Sequence, residues 1–437
     1  MSKYDRAYNS IVPIVQGLFN RESKIWLLFW RTAGAAMFFI LTIIMTNSLS
    51  KEVFGAFEYG RSSLMLLGSI ILFGTDRSIL QFFGRLESQK SGGDIFLVYR
   101  KMVLMVFSFC TVLLVIYFIV PESIWIKAFA DYEGYLIILK VVLFVFFYSI
   151  TVLNTEYFRV LNKMVLSELF RGVFKYSPLA VIVLYIMITQ NYQYLFELYL
   201  LGFVVLSVIT TALVLWLKHP LSRKAKISTN EILKKSYPMA ISGLGFMLLT
   251  TIDIYFLKQY TGLEQIAIYA VPVKITMLLA MVITTFQAAV STEISTLFYK
   301  KEMDVLQMRL RRITNIIFLI TLPLLIGTYL FGDILLGFFG SSFTEGKTAL
   351  DILLIGFLFS TFSSLSPSYL NMTGREKVLQ VIILITVLIN LILNLILIPS
   401  YGIVGAAAAS SLSMAFWTVV SLIYSYKKDR IKLFVHF

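Results

Sequence analysis

Five basic residues sit inside long apolar runs of this chain: Arg31, Arg77, Lys140, Lys175 and Lys274. A charge in hydrocarbon is costly, and one that persists there tends to mark a binding or conduction pathway. Cations suit an anionic ligand. Arg grips a phosphate through two parallel hydrogen bonds, whereas Lys acts as a compact point charge. Asp253 is an acidic residue inside another apolar run. It is the candidate for coupling to a proton or sodium gradient, and on the preceding run it is also the expected partner of Lys274.

Other chemistries lack their residues. His219 and His436 are far apart and accompany no carboxylate cluster, so no metal site and no cofactor is called for. The single cysteine, Cys110, lies in an apolar run and excludes an intramolecular disulfide. No Ser–His or Cys–His arrangement suggests hydrolysis. The run Gly340-Ser-Ser-Phe-Thr-Glu-Gly-Lys-Thr348 resembles a phosphate-binding loop, but its spacing is one residue too long and no strand precedes it.

The elements that must position these charges are membrane spans. The chain is 58% hydrophobic and only 14% charged, with a mean hydropathy of +0.83. A soluble chain would carry roughly 25% charge. About 20 apolar residues cross a bilayer. Spans are expected near 26–46, 62–81, 102–120, 135–157, 171–189, 196–217, 237–257, 265–290, 313–332, 350–370, 379–398 and 402–424. Asp76 and Arg77 interrupt the second, which makes it the weakest. The reading is an all-α integral membrane protein of twelve transmembrane helices.

The 38 Lys and Arg residues sort by side. Alternate gaps and both tails hold 28 of them, and the other gaps hold Lys51, Arg61, Lys127, Lys258 and Lys347. Cations in short loops mark the cytoplasmic face, so both termini are expected inside. This placement also argues against nucleic acid as the partner behind the net charge of +14. The N-terminus shows no cleavable signal pattern, so the first span is read as a signal-anchor. The basic loop 218–236 separates two six-span halves, 1–217 and 237–437. Each half starts on the same side, so a repeat would be parallel, forming two pseudo-symmetric lobes. Glu52-Val-Phe-Gly-Ala-Phe57 can be laid on Glu264-Gln-Ile-Ala-Ile-Tyr269, and that offset brings Arg61 within one position of Lys274.

Depth follows from 1.5 Å per residue. Lys274 lies roughly 15 Å from the outer face, where a lysine cannot easily reach water. Two readings stand for it: a cavity cation or a structural ion pair. Arg31, Arg77 and Lys175 lie nearer the inner ends of their spans, and Lys140 nearer an outer end. Substrate contact and snorkelling to lipid headgroups both fit these four, and Arg77 could equally pair with Asp76. Pro178, Pro272, Pro323 and Pro367 fall within spans and can bend them. Loops on both faces are short, which counts against a catalytic domain of a membrane enzyme.

The eleventh span and its exit read Asn390-Leu-Ile-Leu-Asn394-Leu-Ile-Leu-Ile-Pro399-Ser-Tyr-Gly402. Two amides one turn apart, then small residues from Gly402 to Ser410, predict a tight hairpin with amide hydrogen bonds between close helices. This segment, following Gly374-Arg-Glu-Lys377, resembles the late hairpin of polysaccharide flippases of the multidrug/oligosaccharidyl-lipid/polysaccharide exporter superfamily. Leu49-Ser-Lys-Glu-Val-Phe-Gly-Ala-Phe57 is similar to the loop after their first span. Asp253-Ile-Tyr-Phe-Leu257 and Tyr269-Ala-Val-Pro-Val-Lys274 are similar to their seventh and eighth spans. The O-antigen (Wzx-type) subgroup is the nearest in kind.

The resemblance implies a MATE-like fold in a bacterial inner membrane. It implies translocation of undecaprenyl-diphosphate-linked oligosaccharide by alternating access, with Arg31 favoured because the superfamily's first span commonly carries a functional cation. Its partners would be the lipid-linked oligosaccharide and membrane lipids, with room for other membrane proteins of polysaccharide assembly. Three rivals remain. A drug/cation antiporter of the same superfamily should have an acidic cavity. A membrane enzyme of polysaccharide assembly would need larger loops. A peptidoglycan-precursor flippase commonly has two additional spans.

Overall fold

The computed structural model describes residues 22–88, 95–217 and 227–436, and every regular element among them is helical. In chain order these are α1 (Glu22–Ser48), α2 (Lys51–Leu72), α3 (Thr75–Ser88), α4 (Ile95–Ile119), α5 (Glu122–Ala128), α6 (Tyr132–Val160), α7 (Met164–Gly172) and α8 (Ser177–Thr189). They continue as α9 (Leu195–Leu217), α10 (Thr229–Tyr260), α11 (Leu263–Tyr299), α12 (Met303–Leu330), α13 (Gly332–Gly337), α14 (Lys347–Phe362), α15 (Ser366–Met372) and α16 (Glu376–Asp429). Lys3, Arg6, Arg21, Lys90, Lys218, His219, Arg223, Lys224 and Lys226 lie outside the described residues.

Among the described residues, nine helical runs are long and apolar enough to cross a bilayer, or eleven when two bent pairs each count as one. The longest run, α16, has 54 residues. At 1.5 Å per residue it is roughly 80 Å long, well over twice the length one crossing of a bilayer needs. It breaks at Gly402 (φ 53°, ψ −130°) into two arms. Counting the arms separately makes the helical runs compatible with the twelve expected spans. A Cβ built on Gly405 would sit 2.4 Å from the Leu397 carbonyl oxygen. Small residues therefore let the arms close on one another, as the hairpin sequence predicts.

The second span departs from the expected 62–81. Ser50 caps α2, its hydroxyl accepting from the Val53 amide at 3.3 Å, with Glu52 in the first turn. Those signals start the helix at Lys51, eleven residues early. The crossing bends by 43° into α3. Phe73 (φ 47°) and Gly74 (φ 74°) are both left-handed at that bend. Gly74 is required on two counts, since a Cβ there would meet the α10 backbone at Ala240 and Ser236, both 2.5 Å away. This start moves Arg61, assigned from sequence to an outer gap, into the body of a span.

Of the four prolines expected to bend spans, Pro272 and Pro323 lie inside α11 and α12. Pro178 and Pro367 instead stand at the first turns of α8 and α15. A missing N–H costs nothing there, because the first turn has no acceptor for it. Pro238 and Pro399, in α10 and α16, add two further interior sites.

The end bearing the turns at 49–50, 261–262 and 331–346 is the cation-poor end. There α2 crosses α11 with backbone contact, because a Cβ on Gly55 would lie 1.9 Å from the Leu263 carbonyl oxygen. Phe54 and Tyr59 are fully buried beside this crossing, and Phe54 meets the ring of Phe343 edge-on at 6.2 Å.

Candidate functional site

The α2–α11 crossing brings Glu58 to Lys274. Their charged atoms are 2.8 Å apart, and the side chains are 2% and 3% exposed. Arg61, one turn along α2, donates twice to the same carboxylate, at 2.7 and 3.1 Å. The group is two cations on one carboxylate. Phe38 of α1 lies under both, 5.4 Å from the Arg61 guanidinium and 5.7 Å from Lys274 Nζ. Phe54 faces Lys274 from 5.3 Å. Ring faces and a shared carboxylate offset the cost of keeping two cations dry.

Asp253 is not the partner of Lys274, contrary to the sequence expectation. Its carboxylate is occupied by three donors: Tyr269 Oη at 2.7 Å, Asn394 Nδ2 at 2.7 Å and Ser410 Oγ at 2.6 Å. Asn394 also donates to Asn390 Oδ1 at 3.1 Å. The late hairpin thus binds α10 through this carboxylate, and both arms of α16 contribute. Depth along single helices did not single out Glu58, because the sequence reading left it in the gap before the second span. The signal for Glu58 was the Ser50 cap, which extends α2 and carries Glu58 and Arg61 into the span.

The remaining sequence candidates disperse. Arg31 pairs with Glu168 of α7 at 3.2 Å and is 40% exposed. A near-contact of backbones at Gly34 and Gly172 sets that pairing. Lys140 pairs with Glu197 of α9 at 2.6 Å and is 40% exposed. Arg77 is exposed and packs its guanidinium by Gly243 of α10. With Asp76 it lines a small cavity of about 140 Å³ at the α2–α3 bend. Lys175 lies on a 3₁₀ turn, Phe174–Tyr176, half-buried and without a hydrogen bond or ion pair among the described residues. Its neighbour Tyr176 stacks on Phe38 at 4.8 Å, which places this turn beside the Arg61–Lys274 group.

Two larger spaces flank the crossing. A cavity of about 400 Å³ runs from Asp253 and Tyr269 past Met277 and Trp417 to Gln287 and Ser364. An apolar groove of about 610 Å³ opens between α1 and α11, lined by Ala35, Ala36, Phe39, Leu278, Met281 and Phe286. At the cation-poor end, ties join distant segments: Lys51 to Glu345 at 3.3 Å, Lys258 to Asp131 at 2.6 Å, and Asn47 Nδ2 to the Phe338 carbonyl at 2.8 Å. At the other end Ser78 meets Ser236 at 2.7 Å, and Lys101 donates to the Ile227 carbonyl. No cluster of three metal-ligating side chains occurs among the described residues.

Residues 21–292 match the family described as "Polysaccharide biosynthesis protein". The chain belongs to that family. Residues 238–396 also match the MatE family, which ties this polysaccharide biosynthesis protein to the multidrug and polysaccharide exporter superfamily. A relative in Shigella flexneri, described as "Putative O-antigen transporter", is 24% identical over 176 residues, 40% of this chain. That match spans only 41% of the relative's length. The solved structure of the lipid II flippase MurJ in an inward closed conformation superposes with a TM-score of 0.71 at 18% identity, covering 93% of this chain and 87% of that one. An inward-facing multidrug resistance MATE transporter superposes at 0.68 with 15% identity, covering 92% and 97%. The family member described here is a multi-pass membrane protein with the fold of those transporters.

Proposed function

We propose that this protein moves an undecaprenyl-diphosphate-linked oligosaccharide from the inner to the outer leaflet of a bacterial cytoplasmic membrane. The observation that carries the reading is the buried Arg61–Glu58–Lys274 group, which bears net positive charge where α2 crosses α11. A diphosphate is the complementary ligand. Lys274 and Arg61 would receive it in exchange for Glu58. Arg31, Arg77 and Lys175 would attract it from the cation-rich end, and Lys140 would act toward the other face. The apolar groove between α1 and α11 suits the lipid tail, which can stay in the bilayer while the head group passes.

Residues 1–217 and 237–437 act as two lobes joined by the basic linker 218–236, with both termini cytoplasmic. Rocking of one lobe on the other requires α2 to leave α11, so the Glu58–Lys274 contact breaks on opening toward the cation-poor face. Asp253 is the ion-coupling residue, binding a proton or sodium in place of its present donors. No ATP and no enzymatic step is invoked.

The test is deletion of the gene. Surface polysaccharide should disappear, and lipid-linked repeat units should accumulate facing the cytoplasm. Normal polysaccharide with altered dye efflux would instead establish the drug-antiporter reading.

A further inference from the structure

We infer that residues 430–436 form a releasable strap, which switches the span α14–α15 between a bent and a continuous form. α16 ends at a corner. Arg430 is left-handed (φ 59°), and the Asp429 carboxylate is held by Arg375 and by Tyr369 Oη at 2.6 Å. Beyond the corner the chain turns back along α12. Gln307 Nε2 donates to the Lys432 carbonyl at 2.8 Å, and Gln307 Oε1 accepts from the Lys432 amide at 2.7 Å. Asn315 makes the same two bonds to His436, at 2.8 and 3.1 Å, and Arg311 Nε adds a third at 2.8 Å. Gln307, Arg311 and Asn315 recur every fourth residue, so they lie on one face of α12. They span about 12 Å of helix, close to the reach of four extended residues.

The strap also reaches the break between α14 and α15, where the axis bends by 48°. Broken backbone inside a span needs partners from elsewhere in the protein. The Val435 amide donates to the Phe362 carbonyl at 3.0 Å, and Ser363 Oγ donates to the Leu433 carbonyl at 2.9 Å. In a continuous helix the Phe362 carbonyl would accept from the Ser366 amide, four residues on. Here that amide donates to the Ser363 carbonyl instead, at 3.2 Å. Strap and helix thus compete for one acceptor. Pro367 favours the bent form, because it has no N–H to give the Ser363 carbonyl in a continuous helix.

Two observations make the strap releasable. Its bonds to Gln307, Arg311 and Asn315 are exposed, where water competes for them. Of its side chains only Ile431 and Leu433 are buried. Release would also be felt in the core of this half. Ser363, Ser364 and Pro367 line the cavity of about 400 Å³, and Gln287 of α11 donates to the Ser364 carbonyl at 2.6 Å. Straightening the break would reshape the inner end of that cavity and pull on the helix that carries Lys274.

The experiment uses the full-length protein in inverted membrane vesicles, in a Cys110→Ala background. Ser366→Cys, at a fully buried site beside the strap, is treated with a membrane-impermeant maleimide, and label at that position is read by peptide mass. Labelling should proceed. It should fall at least fivefold when Gln307→Cys and Lys432→Cys are oxidised to a disulfide, and recover on reduction. No label at position 366, or label that ignores the disulfide, would overturn the switch. In cells, a chain ending at Arg430 and the intact double variant Gln307→Ala with Asn315→Ala should each lose surface polysaccharide at least fivefold. Undiminished polysaccharide in both would overturn the strap's part in transport. If polysaccharide survives deletion of the gene, the translocation reading falls, and the labelling still decides the strap.

Discussion

The α2–α11 crossing and the Asp253 cavity share one helix and handle charge in opposite ways. At the crossing, two cations share one carboxylate, the rings of Phe38 and Phe54 cover them, and one formal charge is left over. In the cavity, one carboxylate is matched by three neutral donors, and the remaining lining residues carry no charge. The crossing joins segments about 200 residues apart, whereas the cavity is built within residues 246–418. The first is suited to exchanging one anion for another. The second ties α10, α11 and both arms of α16 together through neutral donors. In the proposed cycle, intramembrane charge is divided between the α2–α11 contact, which breaks on opening, and the Asp253 cluster, which ties α10 to both arms of α16.

Four substitutions would sharpen or break this contrast. Glu58→Ala has the largest expected effect, because it leaves Lys274 and Arg61 buried without an anion. Loss of one partner of a buried pair costs about 3–5 kcal/mol, read as a lower melting temperature of the purified protein together with lost export. A wild-type melting curve would mean that the crossing does not depend on its charges. Lys274→Ala comes next. Export should fall about tenfold or more, Lys274→Arg should restore part of it, and full activity of the Ala variant at normal protein levels would remove Lys274 from the mechanism.

Asp253→Asn should be milder in stability, at about 1–3 kcal/mol, since the amide oxygen still accepts while charge-assisted bonds are lost. Its signature is export that no longer responds to the proton or sodium gradient, measured in energised vesicles. A retained gradient response would place coupling elsewhere. Arg31→Ala should be the smallest. Its pair is 40% exposed on the arginine side, so solvent screening holds the loss to about 1 kcal/mol or less. An export defect as large as that of Lys274→Ala would bring Arg31 into the same binding group.

Much of the architecture was legible in the amino-acid order. Apolar runs of bilayer length located the spans, and Gly402 with the small residues after it marked the hairpin that the structure contains. The second span was placed late, at 62–81, with Asp76 and Arg77 read as interrupting it. They are the start of α3 beyond a bend, and the helix that matters begins at the Ser50 cap. The site was less legible. Lys274 stood out by depth, and Asn390 and Asn394 by spacing, but Glu58 and Arg61 were hidden in a segment read as a gap. Hydropathy averages a single carboxylate and a single guanidinium away when they share a helix with many apolar residues.

The order of residues by itself determined that the chain lives in a membrane, that it crosses many times, and where its cations are concentrated. Those properties follow from local free energies of transfer and from backbone preferences at Gly and Pro, which need no knowledge of neighbours. Only the tertiary structure decided the partners: Lys274 with Glu58 rather than Asp253, and Asp253 with Tyr269, Asn394 and Ser410. The physical reason is the approach of α2 to α11 at Gly55. A charge inside a bilayer pairs with whatever the adjacent helix presents at its depth, and helix adjacency is settled by packing rather than by distance along the chain.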